Sequence, residues 1–521
     1  MSAGHLRNAQ FAAAVIATFA LFLLFVGKPI PIIIWDEGRI IISAMEMRHS
    51  GMGLVATYDF HQDLWNTKPP LLIWLMTGSM AWLGPTEFAL RLPSLISSLC
   101  TILLVMLFLR RITSSVPIAA FGGIALAVSV GFFGEHGART ADYDALLCFF
   151  TTSYLMLLFF ALHRSPPPRR WLLLAGLMGA GALLTKGVAG GVPGTGLLLY
   201  LLLTHRWHRL FETPLYLAAS LLAVAPVGLF LVLREATVPG YLHAMIYNDV
   251  TGRFSEALDN HSGPPWYYLD ATFIKGLFSL GTAALFSPLA LPLARGRVRL
   301  AMIFALCIAL GQLVSVTTSG TKLTHYYLSA YPFVAIAAAL AVHTLLIRSR
   351  AQTTVGNLPP RTSWIARLVP AALLALGVVQ AANARQTVLA PREHYPRARY
   401  GALLDALSGE HRPVLVIERG SKIPDDPHYA PELRFYVMVA HEKGRLVEQT
   451  GEISRMGSAA PGVIVASCDP SVTPLLQSRG AEIVVEREGC FARRQGSIVP
   501  RVKFFVPMVT ATGAGAAIKG L

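Results

Sequence analysis

The sequence predicts a polytopic α-helical membrane protein, with about 11–13 transmembrane helices and a small soluble α/β domain towards its C-terminal end. Apolar runs long enough to cross a bilayer recur from residue 11 to residue 384, whereas the last third mixes polar and apolar residues. Only 14% of the residues are charged, about half the share of a soluble globular chain, and 54% are hydrophobic. Basic residues gather in alternate short loops, the pattern that orients a chain in a membrane.

The apolar runs predict helices near 11–34, 88–109, 116–134, 144–163, 171–185, 187–204, 212–233, 271–294, 300–318, 326–347 and 364–383. The first follows Arg7 and exceeds the apolar length of a cleaved leader, so it is read as an uncleaved span. The pair at 171–204 is short and Gly-rich, which favours a broken or tilted course. One set of loops holds Arg7, Arg110-Arg111, Arg164, Arg169-Arg170, Arg206, Arg209, Arg295, Arg297, Arg299, Arg348 and Arg350. They carry almost no acid and are assigned to the cytoplasm. The other set is then periplasmic: 35–87, 135–143, the 185–187 junction, 234–270, 319–325 and everything after 384. The expected location is a bacterial inner membrane, with a cytoplasmic N-terminus. The net charge of +15 points to the membrane surface and anionic lipid rather than to nucleic acid.

Two domains follow: a membrane domain over 1–385, with periplasmic loops 35–87 and 234–270, and a soluble periplasmic domain over 386–521. In the soluble domain, 414–418, 462–466 and 482–486 read as buried strands, and 402–407, 431–439 and 472–477 as helices. The 505–521 stretch is apolar but too short and broken for a span. Cys100, Cys148 and Cys307 lie in apolar runs as small packed residues. Cys468 and Cys490 are free to pair if their domain is extracytoplasmic. No Cys-x-x-Cys or zinc-type spacing occurs.

The chemically rich residues all fall on the predicted outer side. Asp36 and Glu37 follow the first predicted helix in Trp35-Asp36-Glu37-Gly38-Arg39. A carboxylate at the edge of hydrocarbon loses solvation, so its pKa rises, which suits a general base. A solvated helix end is the plainer alternative. Asp142 and Asp144 stand with Arg139 before the fourth helix. Acid at a helix N-terminus accounts for one of them, less readily for an Asp-x-Asp beside an arginine. Lys68, Lys186 and Lys322 lie at outer helix edges. Each alone would snorkel to a headgroup; three together make an anion site of the kind a phosphate needs. The 234–270 loop holds Arg253-Phe254 and then His261-Ser262-Gly263-Pro264-Pro265-Trp266-Tyr267-Tyr268. Its aromatics are interfacial anchors or sugar-stacking platforms, and His261 alone reads as structural. A divalent-metal site from His61, His136, His261 and nearby carboxylates stays open, although no ligand spacing supports it, and the sequence requires no cofactor.

Seven motifs occur in order: Asp36-Glu37-Gly38-Arg39, Lys-Pro-Pro-Leu-x-x-Trp from Lys68 to Trp74, Glu-Phe-Ala-x-Arg-Leu-Pro at 87–93, Arg139 with Asp144, Leu-Thr-Lys-Gly at 184–187, the 253–268 pattern, and Thr-Lys-Leu-x-x-Tyr at 321–326. Together they resemble the family 39-type, GT-C-fold glycosyltransferases, which include protein O-mannosyltransferases and lipid A aminoarabinose transferases. The resemblance covers residues 1–350; Ile40 stands where that family has an aromatic residue, and 253–268 carries one additional proline. It implies an inverting transfer from an undecaprenyl-phosphate-linked sugar to a lipid, glycan or protein acceptor, with no nucleotide. By that resemblance Asp36, Glu37 and Asp144 are catalytic, and Lys68, Lys186, Lys322 and Arg253 bind the donor phosphate. Arg39, Arg139, Asp142, His261, Tyr267 and Tyr326 bind substrate. The alternative is a transporter or flippase of lipid-linked sugars. Against it, the charges cluster at one edge and no inverted repeat is apparent.

Overall fold

Helices run where the sequence offers uninterrupted apolar residues, and proline, glycine and capping side chains stop them. The computed structural model describes residues 3–27, 30–32, 35–51, 53–257, 261–270, 284, 287–354, 379, 382, 399–419, 429–478, 483–487 and 489–495. Contacts divide the chain into two units, Met1–His394 and Tyr395–Leu521.

Among the described residues of the first unit, seven helices are long and apolar enough to span a membrane: Gly4–Val26, Glu87–Thr113, Tyr143–Leu162, Arg169–Gly190, Leu215–Thr237, Gly296–Thr318 and Thr324–Arg348. Three shorter apolar helices are Leu71–Leu83, Val116–Ala127 and Gly194–Leu203. The predicted runs at 271–294 and 364–383 lie mainly outside the described residues, and 505–521 wholly so.

Caps set several helix boundaries. Thr86 accepts a hydrogen bond from the Ala89 N–H at 3.1 Å, starting the Glu87–Thr113 helix. That helix ends at Ser114 in the left-handed conformation, with Arg110 and Arg111 complementing its last turn. Asp142 caps the Tyr143–Leu162 helix, its carboxylate accepting from the Tyr143 N–H at 2.6 Å. Where Gly194–Leu203 crosses Gly296–Thr318, the backbones touch. A Cβ at Gly196 would lie 2.4 Å from the Ile308 Cα, and one at Gly311 would lie 2.4 Å from the Gly196 nitrogen. The Leu215–Thr237 helix leaves Leu217, Leu221, Leu229 and Val232 exposed, as a lipid-facing stripe requires.

Four boundaries differ from the sequence expectation. The first helix stops at Val26 rather than near 34, because Pro29 and Pro31 follow and proline cannot continue a helix. The Gly27 N–H closes that end on the Leu23 carbonyl at 2.7 Å. The 35–87 segment is largely structured rather than a plain loop. It contains the helix Trp35–Ser50, the hairpin of β1 (Thr57–Tyr58) and β2 (His61–Gln62), and the helix Leu71–Leu83. Trp35–Ser50 is 16 residues long, carries several charges and buries Ile40, Ile41, Ala44, Met45 and Met47. The 116–134 run breaks after Ala127 and resumes as Val130–Phe133. The 187–204 run opens as a 3-10 turn, Gly187–Gly190, before Gly194–Leu203.

The second unit is a small mixed sheet with helices. Its strands are β3 (Val414–Ile417), β4 (Val447–Thr450), β5 (Ile464–Ser467), β6 (Ile483–Arg487) and β7 (Cys490–Arg494), in the order β4-β3-β5-β7-β6. β3 runs parallel to β4 and β5; β7 runs antiparallel to β5 and β6. Helices Tyr400–Ala406 and Pro431–Glu442 bury Leu403, Leu433 and Val437 with Val414 and Val416. Leu476, from the helix Thr473–Ser478, packs with Leu415 and Val465. β4 and β7 went unassigned in the sequence. A disulfide joins Cys468 to Cys490, closing the segment between β5 and β7.

Candidate active site

The Trp35–Ser50 helix begins with two carboxylates that meet different surroundings. Glu37 is fully buried. Arg91 donates to it from Nε at 2.6 Å and Nη2 at 2.8 Å, and the Ala141 N–H donates at 2.8 Å. Arg91 also donates to the carbonyls of Ile30 and Pro31. Glu37 thus joins the start of its own helix to the 87–113 helix and the 135–142 loop, and its oxygens are occupied. Arg91 lies in a motif quoted above, where it had no role.

Arg39 is engaged as well. Its Nε and Nη2 donate to Asp63 at 3.1 and 2.8 Å, and its guanidinium lies 4.7 Å over Tyr58 and 4.8 Å over Trp65. Asp63 in turn accepts from the N–H groups of Trp65 and Asn66 at 2.9 and 3.1 Å. This shapes the turn that leads into Lys68. A second clasp comes from the 241–249 segment. The Tyr241 hydroxyl donates to the Thr67 carbonyl at 2.6 Å, and Asn248 donates to the Leu64 carbonyl at 3.2 Å. The Thr67 hydroxyl donates to Asp249 at 2.5 Å.

Lys68 is held by this frame without a counter-ion. Its Nζ lies 5.6 Å from both the Trp65 and the Tyr143 rings, and it makes no hydrogen bond or ion pair among the described residues. Burial pushes its ammonium below the ordinary lysine range; Asp249 opposes that, while Arg253 and Lys186 add to it. Asp36 is the complementary case, a half-buried carboxylate with no hydrogen bond or ion pair among the described residues. Burial raises its pKa, Asp142 raises it further, and His136, Lys68 and Lys186 oppose.

The second half of the site comes from 136–144, Lys186, Arg253 and 325–326. Lys186 donates to both oxygens of Asp144 at 2.8 and 2.7 Å, and its Nζ lies 5.6 Å from the Tyr326 ring. Arg253 donates to the Tyr326 hydroxyl and lies 4.0 Å from Asp249. His136 pairs through Nδ1 with Asp142. Burial opposes charge on both partners of that pair. The opposite charges and their hydrogen bond outweigh it, raising His136 to about 9 and lowering Asp142 to about 2. The ring of His325, a residue the sequence reading did not single out, lies 4.0 Å from that of His136.

Four expected ligand groups make contacts of other kinds. Lys322 spends its ammonium on the carbonyls of Thr317 and Ser319, at 2.9 and 2.8 Å. His261 is exposed and accepts the Lys322 N–H through its carbonyl at 2.8 Å. Tyr267 packs edge-on to Tyr268, 5.1 Å between centroids. Arg139 is buried, and its N–H donates to the Phe133 carbonyl at 3.2 Å. Glu37, Arg39 and Lys322 thus have their charged groups bonded to protein partners. Asp36, Lys68, Asp144, Lys186, Arg253 and Tyr326 carry the cluster.

Comparison with known proteins bears on the fold and the class. Residues 67–232 match the family model described as dolichyl-phosphate-mannose-protein mannosyltransferase. Over 273 residues the chain is 28% identical to the undecaprenyl phosphate-alpha-4-amino-4-deoxy-L-arabinose arabinosyl transferase of Pseudomonas savastanoi pv. phaseolicola, covering 52% of this chain and 49% of that protein. The corresponding enzyme 2 of Proteus mirabilis is 29% identical over 208 residues, 39% of this chain and 36% of that protein. The chain thus spans about half, or less, of the length of the curated relatives it matches. Among solved structures it is similar to ArnT from Cupriavidus metallidurans bound to undecaprenyl phosphate, with a TM-score of 0.64 and 19% identity over 95% of this chain and 98% of that one. The archaeal oligosaccharyltransferase AglB from Archaeoglobus fulgidus gives a TM-score of 0.53 and 12% identity over 88% of this chain and 69% of that one. At such identities the likeness is one of fold.

The chain is therefore a multi-pass helical membrane protein with an ArnT-like GT-C fold. Residues 67–232 carry the match to the dolichyl-phosphate-mannose-protein mannosyltransferase model, and about half of the chain is similar to an aminoarabinose transferase.

Proposed function

We propose that this protein transfers a sugar from a polyprenyl-phosphate donor to an envelope acceptor, with inversion at the anomeric carbon. The observation that carries the reading is a half-buried Lys68 and a half-buried Asp36 that feel each other's charge, neither with a hydrogen bond or ion pair among the described residues. An ammonium held without a counter-ion is stabilised by an incoming phosphate, and a carboxylate with a raised pKa is suited to take a proton. The acceptor O–H gives its proton to Asp36 while its oxygen bonds to the anomeric carbon. The bond from that carbon to the phosphate oxygen breaks, and polyprenyl phosphate leaves. Lys68 and Arg253 meet the growing negative charge, and Lys186 joins them as it loosens from Asp144. Preorganised contacts of this kind are worth roughly 3–4 kcal/mol each. Tyr326 positions Arg253, and Asp142 positions His136 beside Asp36.

The reaction belongs on the periplasmic face of the inner membrane. The basic loops form one set and the reactive residues the other, which supports a cytoplasmic N-terminus. The Cys468–Cys490 disulfide supports an oxidising compartment for the second unit, the expected soluble domain from about residue 386. Lipid A, another envelope glycan and a protein hydroxyl are the candidate acceptors.

The test is mass spectrometry of envelope lipids, glycans and proteins from a deletion strain complemented with wild type or Asp36→Asn. A pentose- or hexose-sized increment restored by wild type alone supports the reading and identifies the acceptor. Wild-type complementation that changes sugar uptake into vesicles but yields no covalent product would refute it.

A further inference from the structure

We propose that His136, His325 and Asp144 form a binding site for a divalent cation of the zinc class. The three residues come from separate elements: the loop before the Tyr143–Leu162 helix, the 3-10 turn Thr324–Ala330, and the first turn of that helix. One donor atom from each lies within 4.8 Å of the others. A bound zinc-class ion has metal–ligand bonds of about 2.0–2.2 Å, so its ligand atoms stand roughly 3.4 Å apart. Asp144 Oδ2 and His325 Nε2 are already 4.0 Å apart.

Two further features favour an ion. His136 spends Nδ1 on Asp142, which leaves Nε2 for a metal in place of a proton. A carboxylate behind a histidine is the usual outer partner of a metal ligand. The His325 side chain makes no hydrogen bond among the described residues and is only 11% exposed. Two imidazoles and one carboxylate suit Zn²⁺ and Co²⁺ better than Mg²⁺ or Ca²⁺, which prefer oxygen sets. The ion would also bear on Lys186. A cation on Asp144 weakens the pair at 2.7–2.8 Å and frees the Lys186 ammonium for a donor phosphate. That consequence rests on the proposed function; the site itself does not.

The test uses the full-length protein in detergent, free of any affinity tag and stripped with a chelator, titrated with Co²⁺. The expected result is saturable visible d–d absorption, displaced by Zn²⁺, and a rise in Tm on adding Zn²⁺. His325→Gln, His136→Gln and Asp144→Asn should each remove the bands, and one folded variant of the three suffices. Asp142→Asn should weaken binding about 10–100-fold, the usual cost of losing an outer partner. His61→Ala, at an exposed position in β2, should bind like wild type. Wild-type protein without bands overturns the site, as do bands unchanged in a folded ligand variant. None of these readouts uses sugar transfer. Binding without transfer would leave the metal site standing and remove the proposed function, and transfer without binding would do the reverse.

Discussion

Asp36 and Glu37 are neighbours in the chain and opposites in their surroundings. Glu37 is buried and holds Arg91 and the Ala141 N–H; Asp36 is half-buried with no hydrogen-bonded partner among the described residues. The same contrast separates Arg39, locked to Asp63, from Lys68, which lies near two aromatic rings and makes no ion pair among the described residues. A charge that is buried and paired holds a scaffold together, because removing its partner strands the other charge. A charge held near burial without a partner is costly, and the cost is recovered when substrate supplies the missing group. Function is thus expected at the unpaired members of each contrast.

The largest effect should come from Asp36→Asn. Loss of a general base removes about 10²–10⁴-fold in rate, read as turnover by purified protein, with little change in Tm. Arg91→Ala should act through stability. Breaking a buried pair costs about 3–5 kcal/mol, seen as a lower thermal midpoint and poor recovery from the membrane. If Arg91→Ala instead left stability intact and altered only donor use, the division between scaffold and site would fail. Lys68→Ala should cost about 10²–10³-fold in transfer, with weaker donor use and a preserved fold. Normal donor affinity in that variant would remove Lys68 from the phosphate site.

The smallest effect expected is in the pH profile. Asp36 must be ionised to accept a proton, and burial first, then Asp142, raises its pKa. Transfer should therefore fall with decreasing pH through a value above the ordinary carboxylate range. Lys68 must be protonated to attract phosphate, and burial lowers its pKa. Donor use should weaken with rising pH from below the ordinary lysine range. The kcat/KM profile should be narrower than free Asp and Lys would give. A profile flat down to the ordinary carboxylate pKa would break the link to Asp36.

Much of this was legible in the sequence because hydropathy and capping are local. The spans around 87–113, 143–162 and 296–318 need only their own residues, and Asp142 sits where an N-cap acid belongs. The Trp35–Ser50 helix was not legible, because its apolar face is interrupted by charges whose partners lie far along the chain. Glu37 and Arg91 are 54 positions apart, and Arg39 and Asp63 are 24 apart. No spacing rule shows that these pairs meet. Without them, a paired arginine and an open lysine look alike. His325 was missed for the same reason, since its approach to His136 and Asp144 depends on the packing of separate elements.

The most direct test of the central claim compares Asp36→Asn and Glu37→Gln side by side, measuring transfer from a polyprenyl-phosphate sugar and thermal unfolding of the same preparations. The contrast predicts that Asp36→Asn unfolds like wild type and turns over about 10²–10⁴-fold more slowly, while Glu37→Gln unfolds at a lower temperature. Wild-type turnover by Asp36→Asn, or an unfolding temperature unchanged by Glu37→Gln, would contradict it.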